Sequence, residues 1–472
     1  MPKITIEPVT RIEGHAKITI HLNDDGKVEK AYFIVNEFRG FEKFSEGRPF
    51  FEMTQITPRI CGICPVSHHL AAAKACDRVA GAQVPRTAYL LRELMHMGQI
   101  IQSHAMHFFL LAGPDLLLGF DADPKIRNVA GLIKGNPSLA LNAVKARAFG
   151  QGIIRKLSGK SIHGNYAVTG GVNAPLNPEV REAILSEIDE VAKFLLSGIE
   201  MGKRWFETNK ALMNSYASFP SGYMGTVGED GSLNLYDGKI RLIDRNGKKL
   251  EEFDSADYLD YIGEHVEDWS YLKFPFYRKV GWPDGTYRVG PLARLNVAEK
   301  INTPLAQKEL VNFKSINYGK PVEGTLWYHY ARLIEALHAI ERVRQILEDP
   351  DIMSDHVVND PKIFAGKGVG CIEAPRGTLF HDYTTDPDGM LTRVNLIVAT
   401  GHNNWAMSKS VEMVARQFVD GKKLSEGMLN RVEAAIRAHD PCLSCSTHAV
   451  GSMPMVVELL DKDGNRLDKI IR

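Results

Sequence analysis

Two cysteine pairs near opposite ends of one long chain constrain this fold more than any other feature. "RICGICPVSHH" sets Cys61 and Cys64 three positions apart, and "DPCLSCSTH" does the same with Cys442 and Cys445, with 377 residues between the pairs. A two-residue gap lets both sulfurs of a pair reach one ion, and thiolates are soft ligands suited to zinc, iron and nickel. Together the pairs allow a tetrathiolate site, which requires a fold that joins the two ends of the chain.

A closed structural zinc site is the plainest reading of such pairs. Two features weigh against it. A zinc ribbon brings its pairs within about 15–20 residues because a small module needs the metal as its core. A 472-residue chain that is 44% hydrophobic has a core of its own. The second feature is the neighbourhood: Arg59, His68, Asp440 and His448 stand within a few residues of the thiolates. They supply protonatable and hydrogen-bonding groups that a reactive site uses and a structural one rarely needs. The remaining cysteines, Cys76 and Cys371, are unpaired and read as small buried residues, and His96, His104 and His107 on one helix read as core histidines.

Bulk properties exclude several function classes. Lys plus Arg and Asp plus Glu both total 57, leaving no basic footprint for nucleic acid. The N-terminus has no apolar signal core. The most apolar stretch, "YLLRELMHMGQIIQSHAMHFFLLAG", is broken by Arg92, Glu93, Gln99, Gln102 and three histidines, so it reads as a buried helix and not a membrane span. Few cysteines, clustered for metal binding, suit a reducing compartment, and the expected location is cytoplasmic. Gly170 and Gly171 lack the spacing of a nucleotide fingerprint.

The expected fold is α+β and mainly α: one large helical body with small peripheral antiparallel sheets. "HAKITIHLN" and "KVEKAYFIV" alternate on either side of Asp24, Asp25 and Gly26, which predicts a hairpin in an N-terminal β element over 1–35. Helical patterns follow from Pro65 to about Gly113, from Pro178 onward with Ile184, Ile188, Val191 and Leu195 on one face, through "LWYHYARLIEALHAIERVRQILED", and over 405–420 and 425–438. Residues 217–300 have turn dipeptides between short alternating runs and read as a peripheral β insertion. A further hairpin turns near Asp388; if its arms pair about that residue, Arg376 and Thr400 lie opposite each other.

At these residues the chain resembles the large, catalytic subunit of nickel–iron hydrogenases. The resemblance runs nearly end to end through "RIEGH", "FRGFE", "RICGICPVSHH", "HGNYAVTGGV", "CIEAPRGTLFHD" and "DPCLSCSTH". "IEAPRGTLFHDY" and "LIVATGHNNWAM" look like the cytoplasmic bidirectional group, and most like its methyl viologen-reducing, heterodisulfide reductase-linked enzymes of methanogens, with NAD-linked enzymes as the alternative.

The resemblance implies a residue-by-residue assignment. Cys61, Cys64, Cys442 and Cys445 would bind nickel, with Cys64 and Cys445 bridging to an iron that carries carbonyl and cyanide ligands. Cys442 would act as base and Glu13 as first proton relay. Arg376 and Thr400 would face the cyanides, Asp440 would hold Arg376, and His68 would donate to a bridging thiolate. Glu42 and His448 match ligands of a magnesium ion. Electrons from H2 would pass to an iron–sulfur small subunit, then to further electron-transfer subunits, heterodisulfide reductase among them. A metal-free relative of the fold, a scaffold subunit like that of respiratory complex I, lacks such cysteines. The chain departs from the family's usual pattern at Ala399, where many members have Pro, and at Ser103, where an Asp usually pairs with the arginine. In many members the residues after the final His are removed on maturation, which here would be 449–472, a segment whose alternation about Asp463 and Gly464 also reads as a hairpin.

Overall fold

The computed structural model describes residues 2–360, 366–447, 456–460 and 466–471. Its centre is a set of long helices, each with a local reason to exist. Asn177 caps the Pro178–Thr208 helix by accepting from the Glu179 N–H, and Pro178 fills the first turn, where no donor is needed. Ile184, Ile188, Val191 and Leu195 then bury one face of it. The Trp327–Glu348 helix is buried along nearly its whole first half. The helical pattern that begins at Pro65 is two helices, Pro65–Val79 and Arg86–Ala105, and the second widens into a π-type turn over Met106–Ala112. Arg86–Ala105 packs on the Pro137–Ser158 helix at glycine: a Cβ on Gly150 would come within 2.4 Å of the Gly98 carbonyl oxygen, so the two backbones touch. Among the described residues no helix is long and apolar enough to cross a membrane.

Sheets surround this body. The N-terminal hairpin pairs Lys17–Leu22 with Val28–Ile34, and a strand Lys3–Ile6, too short to stand out in the sequence, adds to its edge. Residues 217–300 contain a four-stranded sheet in which Gly222–Val227 lies between Tyr287–Arg288 and Lys239–Ile243, with Lys249–Phe253 outermost. The strands Val456–Leu460 and Arg466–Ile471 pair antiparallel.

The hairpin near Asp388 differs from its expected form. Its first arm is two strands, Lys367–Ala374 and Gly377–Thr385, folded back on each other at Pro375 and Arg376, and Gly377–Thr385 pairs in turn with Leu391–Ile397. A bulge between Thr384 and Thr385 shifts the pairing by one residue, and the second arm leaves the sheet before Thr400, which lies in the short helix Ala399–His402. Arg376 and Thr400 are therefore not cross-strand partners. A proline and a tight turn inside a continuously buried run, which also holds Glu373, Arg376, His381 and Asp382, removed the first arm's continuity, and alternation alone could not reveal that.

Candidate metal centre

The fold brings both cysteine pairs together inside the main core. The four sulfurs lie within 4.8 Å of one another and all four residues are buried. Cys61 Sγ is 3.2 Å from Cys442 Sγ, Cys64 Sγ is 3.4 Å from Cys445 Sγ, and Cys442 and Cys445 approach to 2.9 Å. Helix ends place them. Cys64 precedes Pro65 at the start of the Pro65–Val79 helix, and Cys442 is the cap of the short helix Leu443–Ser446. Gln99 and Gln102 of the Arg86–Ala105 helix both donate to the Ile63 carbonyl, at 3.2 and 3.1 Å, and hold the first cysteine loop in place.

The electrostatics suit a bound cation. Burial pushes the Cys442 and Cys445 thiols up, while hydrogen bonds from Cys442, Cys445 and Cys61 hold Cys64 low. Thiolates gathered in a buried pocket are stabilised by a cation beside them. Cys76 and Cys371 are buried elsewhere, each with its thiol pushed up by burial. Among the described residues, the four-cysteine group is the one cluster of three or more metal-ligating side chains.

Arg376, at the tight turn, is buried against this cluster. Its Nη2 donates to Asp440 Oδ1 at 3.0 Å, and its Nε and Nη1 have no partner among the described residues. Burial opposes its charge, but Asp440 and the sulfurs of Cys442, Cys64 and Cys61 outweigh that and raise its pKa. Asp440 caps the Glu426–His439 helix in the left-handed region, with φ of 54°, which turns the chain toward the cysteines. Burial raises its pKa although Arg376 and Arg332 both pull it down. Arg332 was not readable from the sequence: it sits in the Trp327–Glu348 helix, and burial lowers its pKa to about 10. Ser103, on the facing helix, has a buried hydroxyl with no partner among the described residues.

Thr400 Oγ1 accepts from the Cys442 N–H at 2.9 Å, leaving its own proton for another acceptor. Glu13 runs beside Cys442: the Leu443 N–H donates to the Glu13 carbonyl at 3.2 Å, and its carboxylate accepts from the Ser444 N–H at 3.1 Å and from the Ser444 hydroxyl. Arg39 ties the two motifs together, donating to the Ile60 carbonyl and to Ser444 Oγ, both at 3.4 Å. It lies in "FRGFE", a motif visible in the sequence, but its partners are too distant along the chain to read there. His68 stands one helical turn after Cys64, and its Nδ1 lies 3.1 Å from His381 Nε2. Glu42 is buried and accepts from the Leu396 N–H at 2.6 Å, while His448 lies outside the described residues. His96 and His104 are buried and neutral, with pKa values lowered by burial to about 3 and about 4.

Known proteins are similar to this chain along most of its length. The nickel-dependent hydrogenase family matches residues 39–125 and 224–448, and a HoxL-like family matches residues 3–38. The beta chain of the NAD-reducing hydrogenase HoxS of Cupriavidus necator is 44% identical over 100% of this chain and 99% of its own length. The corresponding chain of the F420-non-reducing hydrogenase of Methanothermobacter thermautotrophicus is 43% identical over the whole of both proteins. A solved NAD+-reducing [NiFe]-hydrogenase in the H2-reduced state superposes with a TM-score of 0.93 and 45% identity, over 95% of this chain and 100% of that one. The Ni-Fe-Se hydrogenase of Desulfomicrobium baculatum shares the fold, with a TM-score of 0.78 at 24% identity over 95% of this chain and 100% of that one. The family implies a nickel–iron centre, and the buried thiol cluster with unpaired guanidinium donors beside it fits one. The chain belongs to the nickel-dependent hydrogenase family and is its large, catalytic component, an oxidoreductase acting on H2.

Proposed function

We propose that Cys61, Cys64, Cys442 and Cys445 hold a nickel–iron centre whose iron carries carbonyl and cyanide, with Cys64 and Cys445 as the bridging pair. The observation that carries this reading is the buried four-sulfur cluster beside the two unpaired Arg376 N–H groups. When bound, the metals supply the soft, electron-rich site at which H2 is polarised. The side chains do the rest. Arg376 Nε and Nη1 and the Thr400 hydroxyl donate to the cyanides, and Asp440 fixes the guanidinium plane. Cys442 Sγ accepts the proton as base, and Glu13, bonded to the backbone one turn away, carries it outward. His68 donates to the Cys64 sulfur. Glu42, with His448, holds a magnesium ion.

Electrons leave to a partner, because no second metal-ligating cluster exists among the described residues to receive them. That partner is an iron–sulfur small subunit in a cytoplasmic complex that passes electrons on toward heterodisulfide reductase; end-to-end likeness to chains of F420-non-reducing hydrogenases supports this. A second reading, an NAD-linked complex, draws on the HoxS relative and the solved NAD+-reducing enzyme. Supplying the purified complex with H2 and either NAD+ or a heterodisulfide separates the two. Residues 449–472 are removed on maturation in this reading, so the mature protein has a mass lower by 24 residues. Cys442→Ser should abolish hydrogen uptake with an artificial acceptor; unchanged uptake refutes its assignment as ligand and base.

A further inference from the structure

A line of buried polar groups, two of which the mechanism above does not use, leads to His68. Tyr383 Oη lies 2.6 Å from His381 Nδ1, and His381 Nε2 lies 3.1 Å from His68 Nδ1. His68 in turn stands one helical turn after Cys64, the cap of its helix, which sets its ring on the Cys64 side. Tyr383 and His381 are fully buried and His68 is 1% exposed, so water does not complete the chain. The fold sets the line by simple periodicity. His381 and Tyr383 stand two apart on the strand Gly377–Thr385 and share one face, which packs on the helix Pro65–Val79, and His68 is in that helix's first turn.

We propose that Tyr383 and His381 act as positioning residues that fix the tautomer of His68, so that its Nε2–H is directed at the Cys64 sulfur and withdraws electron density from the metal centre. A neutral imidazole has one donor and one acceptor nitrogen and in water takes either form. Here the choice propagates. Burial pushes the Tyr383 phenol well up, so it keeps a proton that it can give to His381 Nδ1. His381 Nε2 is then the donor, His68 Nδ1 the acceptor, and the one remaining N–H of His68 is on Nε2. A metal-bound thiolate offers only lone pairs, so this is the tautomer that can bond to it. The reverse order of protons would set a bare nitrogen against the sulfur.

The inference rests on the nickel–iron reading, and infrared spectra of the purified complex separate the two. Carbonyl and cyanide bands in the wild type carry the reading, and their absence sinks it. With the bands present, Tyr383→Phe should move the carbonyl band to lower wavenumber and lower the midpoint potential of the centre. His381→Gln places an amide N–H against His68 without needing the phenol, so adding Tyr383→Phe to His381→Gln should move the band no further. 3-Fluorotyrosine at position 383, a stronger donor in a side chain of nearly the same size, should move the band to higher wavenumber. A Tyr383→Phe spectrum identical to the wild type, or a Tyr383→Phe shift that persists in the His381→Gln background, overturns the proposal; so does a fluorotyrosine spectrum that does not move.

Discussion

Arg376 Nη2 donates to Asp440 Oδ1 at 3.0 Å with both side chains 3% exposed, and that single bond decides where the guanidinium's other donors point. Asp440→Asn keeps the shape and removes the charge. A buried cation that loses its hydrogen-bonded carboxylate costs about 3–5 kcal/mol. The expected result is a lower melting temperature together with loss of most hydrogen uptake, followed by calorimetry and a viologen assay. Arg376→Lys keeps the charge but loses the planar fork, and about 1–3 kcal/mol of lost hydrogen bonding corresponds to roughly a 5- to 150-fold drop in turnover.

Glu13 accepts from both the backbone and the hydroxyl of Ser444, so its carboxylate is fixed beside Cys442 without relying on its charge. Glu13→Gln retains an acceptor and cannot carry a proton. Turnover should fall by roughly 10²-fold or more while nickel and iron content stay at wild-type levels. Wild-type turnover in this variant would remove Glu13 from the proton path.

Gly14 has φ of +82°, and a Cβ there would lie 2.8 Å from Leu443 Cβ, in the helix that Cys442 caps. Gly14→Ala combines a strained backbone with a clash, at a cost of about 1–3 kcal/mol. The displaced segment bears two cysteines, so reduced metal occupancy should accompany the reduced stability, measurable by elemental analysis of the purified variant.

Much of this site was legible in the sequence because spacing and residue type carry metal chemistry directly. Both cysteine pairs meet in one buried cluster, and Asn177, Pro178 and the 3.6-residue apolar periodicity predicted the longest helix from local signals alone. The rest depended on contacts between distant segments. Arg39 meets Ser444, Arg332 lies beside Arg376, and His381 reaches His68, and none of these pairings leaves a local pattern. The Arg376–Thr400 hairpin pairing failed because a tight turn at Pro375 and Arg376 breaks the first arm into two strands that pair with each other. The two residues still converge, since Thr400 bonds to the Cys442 backbone and Arg376 is charge-coupled to the Cys442 sulfur.

A second buried network supports the turn that carries Arg376. Arg294 donates to Glu335, to Glu373 and to the Ala374 and Pro375 carbonyls. Burial works against the Glu335 charge, but Arg294 and His104 outweigh it and hold its pKa at about 2, below the ordinary 4.5. A depressed folded-state pKa contributes stability that is present above pH 4.5 and lost as pH falls toward 2. Acid unfolding of the wild type and of Glu335→Gln should therefore differ by about 3 kcal/mol at neutral pH, with the gap closing over that acid window. A gap that stays constant with pH contradicts the assignment.

The central claim is that the four buried sulfurs hold nickel and iron. Elemental analysis of the purified complex, with infrared spectroscopy on the same sample, tests it most directly. The account predicts one nickel for each large subunit, iron beyond what the partner's clusters contain, and carbonyl and cyanide bands that disappear in Cys64→Ser. Zinc alone, or no metal and no such bands, would contradict it.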